Sequence, residues 1–342
     1  MSGRLTLRRG VVASVDRGGA FSELTVDVGG ADRRALADTA LVGAVEAGDE
    51  VIVNTAAVDL GLGSGGFDLV HVNLTRGLAG AGPDGTHVMK LNYSSLQHAV
   101  EPIEERAGPL ATPLAMPVGV ISLHGQLACV AWALAELRSG TRVGYVQTGG
   151  GALPGGLSRV VAELLERGLL TGHITASPAY GGPAEAITTA GAIHAAASVL
   201  RWDAAIVGPG PGILGSSTAL GHGGLIALDS AHAALALGCP TLIVPRMSSG
   251  DPRERHRGLS HHSATVLDLL LAPVHVGWPS GEEGADTLTG KHMTRVSEPD
   301  LDGYLASGLP ARTMGRAAAE DPLFFGSALA GGAALGALID GV

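Results

Sequence analysis

The side chains able to do chemistry are concentrated in one stretch of this sequence, Arg246 to Thr265. Between Asp251 and His262 stand three arginines (Arg253, Arg255, Arg257), two acids (Asp251, Glu254) and three histidines (His256, His261, His262). Charged residues make up only 16% of the chain, below the usual quarter, so this density is not background. Three chemistries fit it. The arginines offer planar forks for a phosphate or carboxylate, and Ser260 can cap a helix whose N-terminus attracts anions. Asp251 with the histidines could instead supply metal ligands. Alternatively, Asp251 and Glu254 pair with the arginines in an internal salt-bridge network. The histidine spacing fits no standard zinc pattern, so no metal ligand is assigned and no cofactor is named.

The elements that must position this stretch read as α/β. Apolar, strand-length runs at Val118–Ser122, Arg142–Val146, His173–Ser177, Asp203–Val207, Pro240–Pro245 and Pro273–Gly277 alternate with helical patterns at 126–138, 157–167, 184–200, 224–237 and 264–271. Near-continuous apolar strands imply a mostly parallel sheet covered on both faces, a Rossmann-like three-layer domain. Residues 278–298 read as a polar loop, and Phe324 to Ile339 as an apolar helix docking on the core or on a second subunit.

Ligands of such sheets bind beyond the carboxyl ends of the strands. The loops there carry His124, then Thr148 and Gly149, then Tyr180, then Gly210, Gly212 and Ser216, and finally the charged segment. These are the expected substrate-binding residues, together with Arg253, Arg255, Arg257 and His262. Asp251, His256 and His261 are the expected catalytic groups: imidazole titrates near neutral pH, and Asp251 would orient a histidine. Gly210 to Gly215 matches G-x-G-x-x-G, but Pro209 and Pro211 remove amide donors, and the motif does not follow the first strand. Gly-Lys-Ser/Thr and Gly-x-Ser-x-Gly are absent, which argues against a P-loop NTPase and an α/β-hydrolase.

The N-terminal part is different. Short β-branched runs at 11–15, 24–28, 49–54 and 67–73, separated by glycine turns, read as a small β-barrel or sandwich over 1–85. A connector spans 86–115 and the Rossmann-like domain 116–342. Net charge of -10 argues against nucleic acid and anionic membranes as partners. No apolar run is long enough to span a bilayer, and the start carries no apolar signal segment. Cys129 and Cys239 sit in apolar surroundings, as reduced thiols of a cytoplasmic protein do. Few charges and an apolar C-terminal helix suggest a homodimer.

Several stretches resemble one family. The segment Asp251 to His262, residues 48–55, 60–66 and 89–97, Thr313 to Arg316 and Glu320 to Phe325 are similar to bacterial proteins grouped as domain of unknown function 3866. The resemblance implies one continuous architecture and a cytoplasmic bacterial protein, and supplies no catalytic residues. The expected function is therefore that of a soluble enzyme acting on a small anionic, phosphorylated or nucleotide-like metabolite. The rival is a non-catalytic ligand sensor or oligomeric scaffold.

Overall fold

The computed structural model describes residues 4–80, 82–288 and 290–339. The chain forms two compact units that meet in sequence at Val100 and Glu101. The first is built around a closed barrel of β1 (Leu7–Arg17), β2 (Phe21–Val28), β3 (Ala31–Asp38), β4 (Glu50–Asn54) and β5 (Asp68–Asn73), in the order β1-β2-β3-β5-β4. Neighbours are antiparallel except β3 and β5. This is the connectivity of OB-type barrels. The alternation of the sequence sets the two faces: Ser22, Leu24 and Val26 of β2 point inward, as do Val51 and Val53 of β4. Short helices α1 (Thr39–Val42) and α2 (Ala56–Asp59) fill connections, and a hairpin of β6 (Val88–Lys90) and β7 (His98–Val100) ends the unit. β3 was not expected, because Ala31–Asp38 is mostly small or charged and buries only Ala35 and Ala37.

The second unit is the expected three-layer α/β domain. Its sheet has eight strands, all parallel: β8 (Val118–Ile121), β9 (Val143–Thr148), β10 (Gly172–Ala176), β11 (Ala184–Ala186), β12 (Ala204–Pro209), β13 (Thr241–Val244), β16 (His275–Pro279) and β17 (Met293–Ser297). They lie in the order β11-β10-β9-β12-β8-β13-β16-β17. Two short strands, β14 (Met247–Ser248) and β15 (Gly258–Leu259), pair as a separate hairpin, as do β18 (Arg312–Thr313) and β19 (Arg316–Ala317). Helices α5 (Thr189–Ser198), α6 (Ile226–Ala236) and α7 (His261–Leu269) belong to the core on one face. The other face is covered by α3 (Leu127–Leu137), α4 (Arg159–Glu166), α8 (Leu301–Ala306) and α9 (Pro322–Leu338).

Two expectations change. Residues 184–186 form a strand rather than the start of a helix, and 293–297 form β17 inside the stretch read as a loop. Both are edge strands, where one neighbour suffices and the apolar run is short. The C-terminal helix docks on the core of its own chain. Thirteen of the 17 residues of α9 are buried, so this helix, apolar all round, needs no second subunit to cover it. Close approach depends on glycine: a Cβ on Gly277 of β16 would stand 2.6 Å from the Gly331 Cα of α9. Among the described residues no helix is long and apolar enough to cross a membrane.

Two histidines are built into the core beneath the strand ends. His124 Nε2 pairs with Ser158 Oγ at 2.7 Å, and the Tyr145 ring stacks on His173 at 5.4 Å. Burial pushes both histidines down to about 4, and His173 is lowered further by His124. An unfolded histidine takes up its proton near pH 6.5, whereas these stay neutral until about pH 4. The folded state therefore loses stability as pH falls through that window. At pH 5 the loss relative to pH 8 is roughly 2 kcal/mol per histidine. Urea unfolding of the wild type and of His173→Gln at both pH values should show a loss smaller by about that amount in the variant. Equal losses in the two proteins would refute a neutral, buried His173.

Candidate functional site

The charged segment lies at the carboxyl edge of the sheet, directly after β13. Two bonds tie the start of α7 to the end of that strand: Arg246 N donates to Ser263 Oγ at 2.7 Å, and Ser260 N donates to Arg246 O at 2.9 Å. The β14–β15 pairing folds residues 249–257 back as a closed loop between them. Ser260 caps α7 as expected, its Oγ accepting from His262 N at 3.3 Å. These constraints place His256, in a one-turn helix, against His261 and His262 in the first turn of α7.

The charges divide into two groups. Asp251 is fully buried and collects three guanidinium groups. Its Oδ2 accepts from Arg246 Nη2 at 2.8 Å, Arg253 Nη2 at 2.9 Å and Arg316 Nη2 at 3.3 Å. Its Oδ1 accepts from Arg253 N and Nε at 3.0 and 2.9 Å. Burial alone would raise this carboxyl; the Arg253 hydrogen bonds and the Arg246 charge outweigh it and hold Asp251 well below the usual carboxylate range. Arg316 also bonds Asp321, which accepts from Ser248 Oγ and from the Ser249 and Gly250 amides. Asp251 thus orients arginines, not a histidine, and has no face open to a substrate. Both Glu254 and Arg255 are exposed, and among the described residues Glu254 joins no ion pair and Arg255 has no hydrogen-bond partner. Arg257 bonds the Asp251 carbonyl oxygen through Nε at 3.0 Å.

The second group is aromatic and neutral. The His256, His261 and His262 ring centroids stand 4.3 to 4.9 Å apart. A fourth ring, His222, stacks on His262 at 3.5 Å and 11°. One ring nitrogen from each of His256, His261 and His262 lies within 4.8 Å of the other two. His256 Nε2, His261 Nε2 and His262 Nδ1 are all buried without a hydrogen-bond partner among the described residues. The other nitrogen of His256, Nδ1, is fixed by Ser260 Oγ at 2.8 Å. Burial lowers all four histidines. His256, at about 4, is lowered further by Arg246, and His261 by Arg255. Burial thus favours the uncharged rings, each with a nitrogen lone pair, and His256, His261 and His262 together could hold one metal ion.

A model of a protein family of unknown function, DUF3866, matches residues 34–332. The chain belongs to that family. No curated protein and no solved structure matches it.

The remaining expected residues lie in neighbouring loops. His222 follows the β12 loop, where Gly215 bridges back to it. A Cβ on Gly150 would stand 2.3 Å from Gly223 O, so the loops after β9 and β12 touch beside it. Gly210 packs against Ala152 O and Gln147 Nε2, Gly149 against the Pro178 ring, and the Tyr180 amide donates to Leu153 O. Thr148 is buried, while Gly212 and Ser216 lie in an open loop, Ser216 Oγ meeting Thr218 Oγ1 at 2.8 Å. That loop runs on to His222 before α6 begins at Ile226, so its glycines do not open a helix as a dinucleotide cradle would. His124 is taken up by Ser158 in the core and does not join the histidine cluster. A cavity of about 190 Å³ lined by Glu104, Leu110, Gly191 and His194, among others, shares no residue with this edge.

His222, Arg316 and Asp321 were not expected here. His222 stands alone among glycines, where no spacing marks it; Arg316 and Asp321 arrive from 65 and 70 positions beyond Asp251. Replacing Asp251 by Asn should cost about 3 to 5 kcal/mol, because three guanidinium groups lose their shared charge partner. Chemical denaturation measures it, and a cost below about 1 kcal/mol would show that the network does not hold the edge together.

Proposed function

We propose that the protein is an enzyme acting on a small anionic metabolite, phosphorylated or nucleotide-like, at the carboxyl edge of the parallel sheet. The observation that carries this reading is a local excess of positive charge in an acidic protein. Among the described residues Arg246, Arg253 and Arg316 pair with two carboxylates, Asp251 and Asp321, and Arg255 adds a guanidinium without a partner at the rim. An anion is the ligand that such a field favours. In this reading Arg255 grips the anion, and the free edges of Arg253 and Arg257 support it. The N-terminus of α7 adds its partial positive charge. The uncharged histidine cluster, open to solvent through half-buried His261, supplies the reacting centre. Free, buried Cys129 and Cys239 support a cytoplasmic setting.

Inorganic phosphate is the first probe, followed by a panel of phosphorylated and carboxylated metabolites tested for turnover. Arg255→Ala should weaken phosphate binding by roughly 10-fold or more, the worth of a charge-assisted hydrogen bond. Its unfolding free energy should stay within about 0.5 kcal/mol of the wild type, since the side chain is exposed and unpaired. Calorimetry and denaturation on one preparation give both values. Unchanged phosphate affinity in the variant would sink the proposal. Binding across the panel without any turnover would replace the enzyme by a ligand sensor.

A further inference from the structure

We infer that His256, His261 and His262 form a binding site for a single divalent transition-metal ion of the zinc type. Three facts carry this. One nitrogen of each ring lies within 4.8 Å of the others, which needs only a small closure of the rings to reach one ion. Each ring carries a buried nitrogen with no partner, namely His256 Nε2, His261 Nε2 and His262 Nδ1. Buried polar atoms are nearly always satisfied, so three unpartnered nitrogens on three rings this close together call for a shared ligand. Finally, the site has the outer support that metal sites use. Ser260 Oγ meets His256 Nδ1 at 2.8 Å; with Nδ1–H donated to that oxygen, Nε2 is left as the free lone pair. The same Oγ caps α7 by accepting from the His262 backbone amide, which ties the helix turn carrying His262 to the hydroxyl that holds the His256 ring.

The donor set selects the ion. Three imidazoles and no carboxylate favour zinc, cobalt or iron(II) over magnesium or calcium. Three protein ligands leave a coordination position for water or substrate, as catalytic sites do. Neutral ligands leave the ion its full charge. Arg246 opposes a cation, but its guanidinium is already engaged by Asp251 at 2.8 Å. His261, half-buried, gives the ion a way in, while His256 and His262 are buried and give the site its rigidity. The stacked His222 ring walls the fourth side. The ion would serve the enzyme proposed above as its electrophile, so the inference deepens that reading. Metal uptake itself is measured without any substrate.

The full chain, stripped with a chelator, is titrated with Zn²⁺ and, in parallel, with Co²⁺. The expected result is one ion per chain, with visible cobalt bands of a low-coordinate nitrogen site. His261→Ala should weaken Zn²⁺ binding more than 100-fold, and Ser260→Ala by about 10- to 100-fold, the range for a residue behind the ligands. His71→Ala, in the barrel, should leave it unchanged. X-ray absorption on zinc-loaded wild type counts imidazole ligands directly and needs no variant to fold; three are expected. No stoichiometric uptake, an oxygen-only shell, or full affinity in His261→Ala would overturn the site. An ordered water holding the three nitrogens would give the first of these results. Phosphate binding retained without metal uptake would leave the anion reading standing and remove only this one.

Discussion

The carboxyl edge of the sheet depends on the buried Asp251 carboxylate. Five hydrogen bonds reach its two oxygens, from three arginines that belong to three places in the chain: the end of β13, the loop itself and β19. Burying such a cluster is not a cheap source of stability, because the desolvation of each charge offsets much of the attraction. Its value is geometric. With Arg253 and Arg257 drawn in toward Asp251, the loop must turn back on itself, and His256 is carried toward the first turn of α7. Loss of the carboxylate would strip the buried Arg246 guanidinium of its charge partner, while Arg316 would keep only Asp321. The histidine cluster is thus downstream of an ion-pair network that does no chemistry of its own.

The same network sets the electrostatics of the cluster. Arginine charge stands close to His256 and His261 and, with burial, discourages their protonation. An imidazolium here would face both a dry surround and like charge. The rings are held as neutral lone-pair donors, and the local positive field is left for an anion to neutralise. One charge pattern therefore prepares both halves of the proposed site, the neutral ligand set and the anion grip.

Much of the fold was legible because parallel strands buried on both faces are plain apolar runs, and Val118–Ile121, Val143–Thr148 and Thr241–Val244 read as such. The place of the charged segment at the carboxyl edge followed from the same pattern, since it comes right after one of those strands. Edge strands such as β11 and β17 escaped, being short and half-solvated. The division of labour within the segment escaped for another reason. In sequence, Asp251, Arg253, Arg255 and Arg257 look equivalent, and only partners far along the chain distinguish them. Arg253 and Arg255 are both exposed, but Asp251 holds two nitrogens of the Arg253 side chain, whereas Arg255, two residues on, has no such partner among the described residues. The structure bears out the ion-pair network around Asp251 and sets the histidines apart from it in a cluster of their own.

That sorting follows from the spacing of the segment. A tight loop fixes the direction of each of its side chains by position. Asp251 is buried, Arg253 reaches back to it from the surface, and Glu254 and Arg255 face solvent. His256 is buried again, at the turn where the loop meets Ser260. The helix then contributes His261 and His262 in succession, the first half-exposed and the second buried on the His222 ring. Shifting the loop by one residue would exchange Asp251 for a proline and His256 for an arginine at once. The interior would lose its carboxylate and the cluster its anchored ring together. Structure and candidate chemistry are therefore locked to a single register, and the Asp251 carboxylate is what fixes it.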